Sequence, residues 1–465
     1  MADQRKSHIS SGSRVGRAAP LVGLAGRTAG EAVVSSLRRR TGRAERSGRQ
    51  ERNAQRYADR LGQSKGVLMK AGQILSFTTF GPAVPGSSQS VYQRALARLQ
   101  DSAPPMPYSD VVAVIEAELG GPPEQVFAEF DREPLGAASI GQVHAGRLHD
   151  GRRVAVKVQY PGVAKAIRAD LDNAELLATF LQVLKGMAPN SIGFDVRSIA
   201  AEVSERIGEE IDYLVEAKNQ AEFADHYRGH PFIRVPEVCS EYTTSRVLTM
   251  ELVEGKRFSE AIEADIALRD RWGEAIFRFA IGSVRRLLLF HADPHPGNYL
   301  FHDDGSVTFL DFGCIKRLDA VRVGDMKASV SAAVDRDGDE LAKVMRRMGF
   351  LSPSAEPDRQ QLLDWYRRGM ESLTEPQPYT CSASTAGEAV AVKFSPIGPY
   401  RDVLSTLSPD PQYTMMVRID VGMNSVLGAL RATAPWEAIR SEWDRGGPAA
   451  TPMGERDMAF WGASL

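Results

Sequence analysis

Three oxygen-bearing side chains stand at fixed spacing in the stretch HADPHPGNYLFHDDGSVTFLDFG, residues 291–313. Asn298 follows Asp293 by five positions, and Asp311 follows thirteen later. Hard oxygen donors of this kind hold a magnesium ion or steer a proton. Two chemistries compete for the set. One is a metal-dependent hydrolase, with His291 and His295 as further ligands in an H-x-D-x-H run. The other is a site that positions a nucleoside triphosphate. The hydrolase reading fits poorly. Pro294 and Pro296 flank His295 and make a stiff, extended loop. Such sites also need further His or carboxylate ligands from distant strands, and the chain's eight histidines are scattered.

Phosphoryl transfer asks for a carboxylate near the attacking hydroxyl, an amide oxygen five residues on, and a second carboxylate that bridges metal to phosphate. The kinase loop H-R-D-x-x-x-x-N has that offset, and His291-Ala292-Asp293…Asn298 reproduces it. VTFLDFG (307–313) is then an apolar strand ending in Asp-Phe-Gly. Upstream, Lys157 in VAVKVQ matches the strand lysine that grips the α- and β-phosphates. A lysine held there needs a helical carboxylate, and Glu216 in EEIDYLVEAKNQAEF (209–223) is the best candidate. Ile211, Leu214 and Val215 are expected to bury one side of that helix. MELVEG (250–255) falls where a hinge offers backbone to adenine, at Glu251–Val253.

These residues need a scaffold of two lobes, which 465 residues allow. The fold class expected is α+β: a mixed strand–helix lobe followed by a mostly helical one. Prolines in DSAPPMP (101–107) end one helix. Residues 108–130 read as a helix and an approach strand. SIGQVHAGRLHDGRRVAVKVQYPG (139–162) reads as a hairpin around Asp150-Gly151. Residues 163–226 are predicted helical, 246–255 a strand, 259–290 one long helix, and 320–350 and 354–375 helical. A net charge of −2 gives no reason to expect nucleic acid. Three sparse cysteines imply no disulfide framework. The most apolar run, residues 18–37, is broken by Arg27 and Glu31 and falls short of the ~18–20 apolar residues of a membrane span. The chain is read as cytoplasmic. Residues 1–50 carry eleven Arg/Lys against three acidic residues, a basic arm suited to peripheral contact with an anionic membrane.

Two departures from ordinary protein kinases narrow the reading. PLGAASIGQVHAG places Ala137, Ala138 and Ser139 where a glycine-rich loop is expected. After Asp-Phe-Gly the chain runs quickly towards helix, with no A-P-E and no long activation segment. A further mark is Lys70-Ala71-Gly72-Gln73 on an upstream helix. With LQDSAPP (99–105), PLGAASIGQVH (134–144), VAVKVQYPG (154–162), EIDYLVEA (210–217), HADPHPGN (291–298) and DFG, the sequence resembles the AarF/UbiB/ADCK family of atypical kinases. Gly136 departs from the family's first loop alanine.

That resemblance implies a bilobal protein-kinase-like fold with a small antiparallel sheet. It divides the chain into a basic arm (1–50), a helical extension with the KxGQ motif (51–125), an N-lobe with a helical insertion (126–255), a C-lobe (256–350) and a helical C-terminal region (351–465). It implies ATP and Mg²⁺ as cofactors, Asp293 as catalytic aspartate, Asn298 and Asp311 as metal ligands, and Lys157–Glu216 as the ion pair. It also places Lys70 and Gln73 over the cleft, with Glu210 and Asp212 as the ExD carboxylates. The implied output is an atypical kinase or ATPase supporting quinone or other isoprenoid-lipid metabolism, with a quinone-precursor lipid as ligand. An aminoglycoside-kinase-type phosphotransferase and a nucleotide-sensing scaffold are the alternatives. His291 is read as a structural hydrogen-bonding residue, and His295 as a residue near the transferred phosphate.

Overall fold

The computed structural model describes residues 105–138, 140–171, 211–383, 398–407 and 422–463, and within them the helix and strand signals sort into two lobes. The first lobe opens with α1 (Tyr108–Leu119), which buries Val111, Val114 and Ile115 and ends where Gly120 turns left-handed at φ 81°. Three strands follow: β1 (Glu129–Ala138), β2 (Gly141–Arg147) and β3 (Arg153–Gln159). The β2–β3 connection centres on the expected Asp-Gly, with Gly151 at φ 90°, a conformation open to a residue without Cβ. The loop is longer than a two-residue turn, because Leu148 donates to the Arg152 carbonyl at 2.9 Å.

α2 (Tyr213–His226) and β4 (Ile233–Arg234) precede β5 (Val247–Glu251), and the antiparallel order is β1-β2-β3-β5. Val154, Val156 and Val158 of β3 alternate into one core with Val111 and Ile115 of α1 and with Leu248. α1 therefore belongs to the sheet lobe by packing. α2 spans both lobes: Tyr213 and Ala217 lie in the sheet-lobe core, Phe223 in the helical-lobe core. The expected apolar side of this helix is corrected. Ile211 is buried, but Leu214 and Val215 are exposed. Asp212 caps the helix and sets its phase, so Tyr213, Glu216, Ala217, Gln220 and Phe223 face inward.

In the second lobe α3 (Ile266–Leu287) carries the core, capped by Asp265, whose carboxylate accepts from Ala267 N at 2.8 Å. The predicted helix over 259–290 is shorter at both ends. Leu288 turns left-handed at φ 56°, and residues 289–291 leave as a strand. That strand, β6 (Leu289–His291), pairs antiparallel with β9 (Ile315–Arg317). β7 (Tyr299–Phe301) pairs antiparallel with β8 (Val307–Phe309), and β4 runs parallel to β8. The predicted 320–350 helix divides into α4 (Ala320–Val334) and α5 (Gly338–Arg347), because Arg336 takes φ 60° between them. α6 (Arg359–Arg367) covers only part of 354–375.

The region beyond 351 packs on the same core. α7 (422–430) buries Met423, Val426, Leu427 and Leu430 against α3, at helical spacing. α8 (Trp436–Asp444) and α9 (Pro452–Ala463) bring acidic groups to the fully buried Arg278 of α3. Arg278 donates to Glu274 at 2.7 Å, to Glu442 at 2.7 and 2.8 Å, and to Asp457 at 3.3 Å. Such a cluster holds only while both signs are present, since one unpaired buried charge costs about 3–5 kcal/mol.

Candidate active site

β3 presents Lys157 on the face opposite to Val156 and Val158, at register with Leu248 of β5. Its ammonium donates to both carboxylate oxygens of Glu216 at 2.9 Å. Asp311 Oδ2 lies 3.9 Å from the same nitrogen. The Tyr213 ring centroid is 5.0 Å away, within cation–π range. Burial opposes the ammonium, but the charges of Glu216 and Asp311 outweigh it and hold Lys157 above lysine's ordinary pKa. Lys157 is therefore a fixed positive charge.

Asp311 ends the segment after β8. Its Oδ1 accepts from Gly313 N at 3.0 Å, and its carbonyl accepts from His291 Nε2 at 2.5 Å. His291 is thus a buried structural residue, as expected. Phe312 is fully buried, its ring 5.1 Å from Phe223 and 5.3 Å from His291. Asn219 Nδ2 donates to the Phe312 carbonyl at 3.1 Å. These contacts link the Asp-Phe-Gly turn to the helix that carries Glu216. The sequence reading missed Tyr213, Asn219 and Phe223; only their spacing along that helix marks them.

The loop from β6 to β7 holds Asp293 and Asn298. Asn298 Nδ2 donates to Asp293 Oδ2 at 3.0 Å, and Leu310 N donates to the Asn298 carbonyl at 3.0 Å. The second bond ties the loop to the segment that ends in Asp311. Burial and then the nearby charge of Asp293 raise the Tyr299 pKa. His295 turns its Nδ1 to accept from Gly297 N at 3.0 Å, a cap of the short turn at Pro296–Asn298.

Other candidates fall differently. Ala137 and Ala138 end β1, paired with Gln142 and Gly141, so they are strand residues flanking a tight turn. A Cβ on Gly141 would stand 2.3 Å from the Val158 carbonyl and 2.9 Å from the Tyr213 hydroxyl, so this hairpin packs closely on β3. Glu251 N donates to the Glu237 carbonyl at 2.8 Å and Leu252 N to that of Arg153 at 3.1 Å. The N–H groups of Glu251 and Leu252 are thus both engaged within the sheet lobe. Asp212 accepts from Leu214 N at 3.0 Å as a helix cap. Lys70, Gln73, Ser139 and Glu210 lie outside the described residues.

The donor set fits a magnesium ion. Among the described residues no three His, Cys, Asp or Glu side chains gather as a protein-only cage. Asn298 uses its amide nitrogen on Asp293, which leaves Oδ1 as the side-chain atom it could offer a metal. One or two protein oxygens completed by phosphate and water are what Mg²⁺ takes at nucleotide sites.

Comparison with known proteins decides the family. Residues 98–345 match the ABC1 atypical kinase-like domain. The chain belongs to the ABC1 atypical kinase-like family. It is 37% identical over 274 residues to Protein ACTIVITY OF BC1 COMPLEX KINASE 8, chloroplastic, of Arabidopsis thaliana, covering 57% of this chain and 35% of that one. It is 34% identical over 313 residues to an Arabidopsis aarF domain-containing protein kinase, covering 66% and 43%. The chain thus spans well under half the length of these curated relatives. A solved Mycobacterium tuberculosis protein in complex with erythromycin aligns with TM-score 0.59 and 31% identity, over 82% of this chain and 93% of that one. The bilobal kinase-like fold read from the motifs is therefore the fold of this ABC1 chain. No described helix is long and apolar enough to cross a membrane.

Proposed function

We propose that this ABC1 chain binds Mg–ATP between its lobes and acts as an atypical kinase or ATPase in support of quinone or other isoprenoid-lipid metabolism. One observation carries the reading: Glu216 at 2.9 Å and Asp311 at 3.9 Å converge on the single ammonium of Lys157. A structural lysine needs one partner; a phosphate-gripping lysine needs a helix carboxylate to aim it and a metal-binding carboxylate beside it.

When bound, Mg–ATP supplies the transferable phosphoryl group and neutralises its developing charge. Lys157 would grip the nucleotide's phosphates, with Glu216 fixing its direction. Asn298 and the Asp311 carboxylate would hold the metal. Asp293, steadied by Asn298, would orient the attacking hydroxyl or water and take its proton. The KxGQ motif of Lys70 and Gln73, outside the described residues, resembles one that in its family disfavours phosphorylation of proteins in trans. The brief passage from Gly313 through β9 to α4 agrees, since it provides no peptide-binding platform. The basic arm over 1–50 brings the enzyme to anionic membrane, where a quinone-precursor lipid is met.

ATP turnover measured with and without a quinone-precursor mimic and anionic vesicles tests this, on wild type and Asp311→Asn. Turnover that Asp311→Asn abolishes supports the reading. ATP binding without turnover in any condition favours a nucleotide-sensing scaffold. A small-molecule phosphotransferase is the second reading, favoured by the erythromycin held in the solved relative. Phosphate transfer to a macrolide added to the same assay would establish it.

A further inference from the structure

The strongest unexplained contact lies between the catalytic loop and a helix beyond the family match, which ends at residue 345. A Cβ built on Gly422, in α7, would stand 2.6 Å from Pro294 Cγ; the next two nearest atoms, at 3.6 and 3.7 Å, also belong to Pro294. Gly422 does not have a left-handed φ. Alanine would suit its backbone and is the better helix former. Pro294 alone excludes it.

Neither partner can give way easily. α7 is held by four buried side chains, Met423, Val426, Leu427 and Leu430. A Cβ on Gly428 would stand 2.6 Å from Ala383 N, and one on Gly273 of α3 would stand 2.3 Å from the Ala432 methyl just past α7 and 3.5 Å from Leu427 Cδ2 within it. The helix is therefore seated on both sides. Pro294 is a ring with little freedom, and it follows Asp293 directly. The loop is braced within itself: His295 N donates to the Asp293 carbonyl at 2.7 Å, and Asn298 N to the His295 carbonyl at 2.9 Å. A push on Pro294 is thus passed to the Asp293 carboxylate and its bond to Asn298.

We infer that Gly422 is a positioning residue: α7, seated against Pro294, sets where the Asp293 carboxylate stands in the cleft. The inference rests on the nucleotide reading above and adds a device outside the matched domain. An ordinary contact begins near 3.4 Å, so a methyl at 422 displaces Pro294 by several tenths of an ångström. A misplacement on the order of 1 Å lowers turnover by up to about 100-fold.

The test compares Gly422→Ala, Gly454→Ala and the pair Pro294→Ala and Pro294→Ala/Gly422→Ala. Gly454 serves as control, since its Cβ would meet Arg278 Nη2 at 2.6 Å and Glu442 Oε1 at 2.7 Å, in the buried charge cluster. Gly422→Ala should lower kcat for ATP turnover roughly 10- to 100-fold, with KM for ATP and nucleotide-analogue affinity little changed. Gly454→Ala should lower thermal stability without that kcat loss. With the ring removed, adding Gly422→Ala to Pro294→Ala should cost much less than it costs wild type, a coupling a merely structural role would not produce. A wild-type kcat in Gly422→Ala, or a loss matching that of Gly454→Ala, overturns the inference. If wild type turns over no ATP, the nucleotide reading fails by itself. Amide exchange over 291–299 then decides: faster exchange in Gly422→Ala supports the seating, and unchanged exchange overturns it.

Discussion

Asn298 donates its amide hydrogen to Asp293 Oδ2 at 3.0 Å, so its side chain fixes the carboxylate proposed as the catalytic one. The motif's five-residue offset is the length that closes this bond across the short turn at Pro296–Asn298. Replacing Asn298 by aspartate keeps the shape and puts two carboxylates in contact. Like charges that close cannot both ionise freely, so the proton on the pair leaves at higher pH. The pH profile of ATP turnover in Asn298→Asp should shift its acidic limb upward, with activity reduced at neutral pH. An unshifted limb would remove Asp293 from the role of base.

Glu216 matters to the fold as well as to the site. Lys157 is nearly buried, and its other carboxylate neighbour, Asp311, is 3.9 Å away. Glu216→Gln should therefore destabilise the protein by about 3–5 kcal/mol, the cost of breaking a buried pair on one side. Urea unfolding measures this. Lys157→Met with Glu216→Leu in the same chain should recover much of the stability while nucleotide binding stays lost. A Glu216→Gln protein as stable as wild type would show that the ammonium is well solvated.

The candidate constellation was legible because it is local or rigidly spaced. Asp293 and Asn298 share a loop, Asp311 ends a strand, and Lys157 sits in a valine alternation that can only be a buried strand. Glu216 was legible by its need for a partner. What failed was set by distant contacts. Leu288, Leu289 and Phe290 continue an apolar helical period, yet 289–291 form a strand through pairing with 315–317. Leu214 and Val215 look like core residues, but the cap at Asp212 rotates them outward. The seat of Pro294 on Gly422 joins a loop to a helix far along the chain, and a glycine in an apolar run does not declare what it touches.

Arg278 organises the C-terminal region. It is the shared donor to Glu274, Glu442 and Asp457, contributed by α3, α8 and α9. Arg286, donating to Asp457 at 2.8 Å, is the remaining cation on that carboxylate. Arg278→Met leaves buried carboxylates without their central donor, and a loss of about 3–5 kcal/mol is expected. Limited proteolysis should then release 452–463 before the core is cut. If the unfolding midpoint holds and α9 stays protected, the cluster is not what docks this helix.

His230 gives the same region a pH dependence of defined sign. Its Nδ1 accepts from Ile233 N at 3.1 Å, so Nε2 carries the proton and donates to Asp457 at 2.9 Å. Burial holds its pKa below the ordinary imidazole value; the bond to Asp457 opposes this, and the charges of Arg286 and Arg278 add to it. The folded chain keeps His230 neutral where the unfolded chain, with a histidine pKa of about 6.5, takes up a proton. Stability from this residue is therefore present above about pH 6.5 and is lost as pH falls below it. Asp457 acts in the same direction further down: burial raises its pKa, but His230, Arg286 and Arg278 outweigh that and lower it, so its contribution fades below about pH 4. His144 and His302 are also shifted down by burial and slope the same way, so the comparison must be between proteins. Urea midpoints at pH 5, 6, 7 and 8 should fall towards acid in wild type and fall less steeply in His230→Gln. Parallel curves for the two proteins would mean that His230 takes up its proton equally well in the folded and unfolded chain.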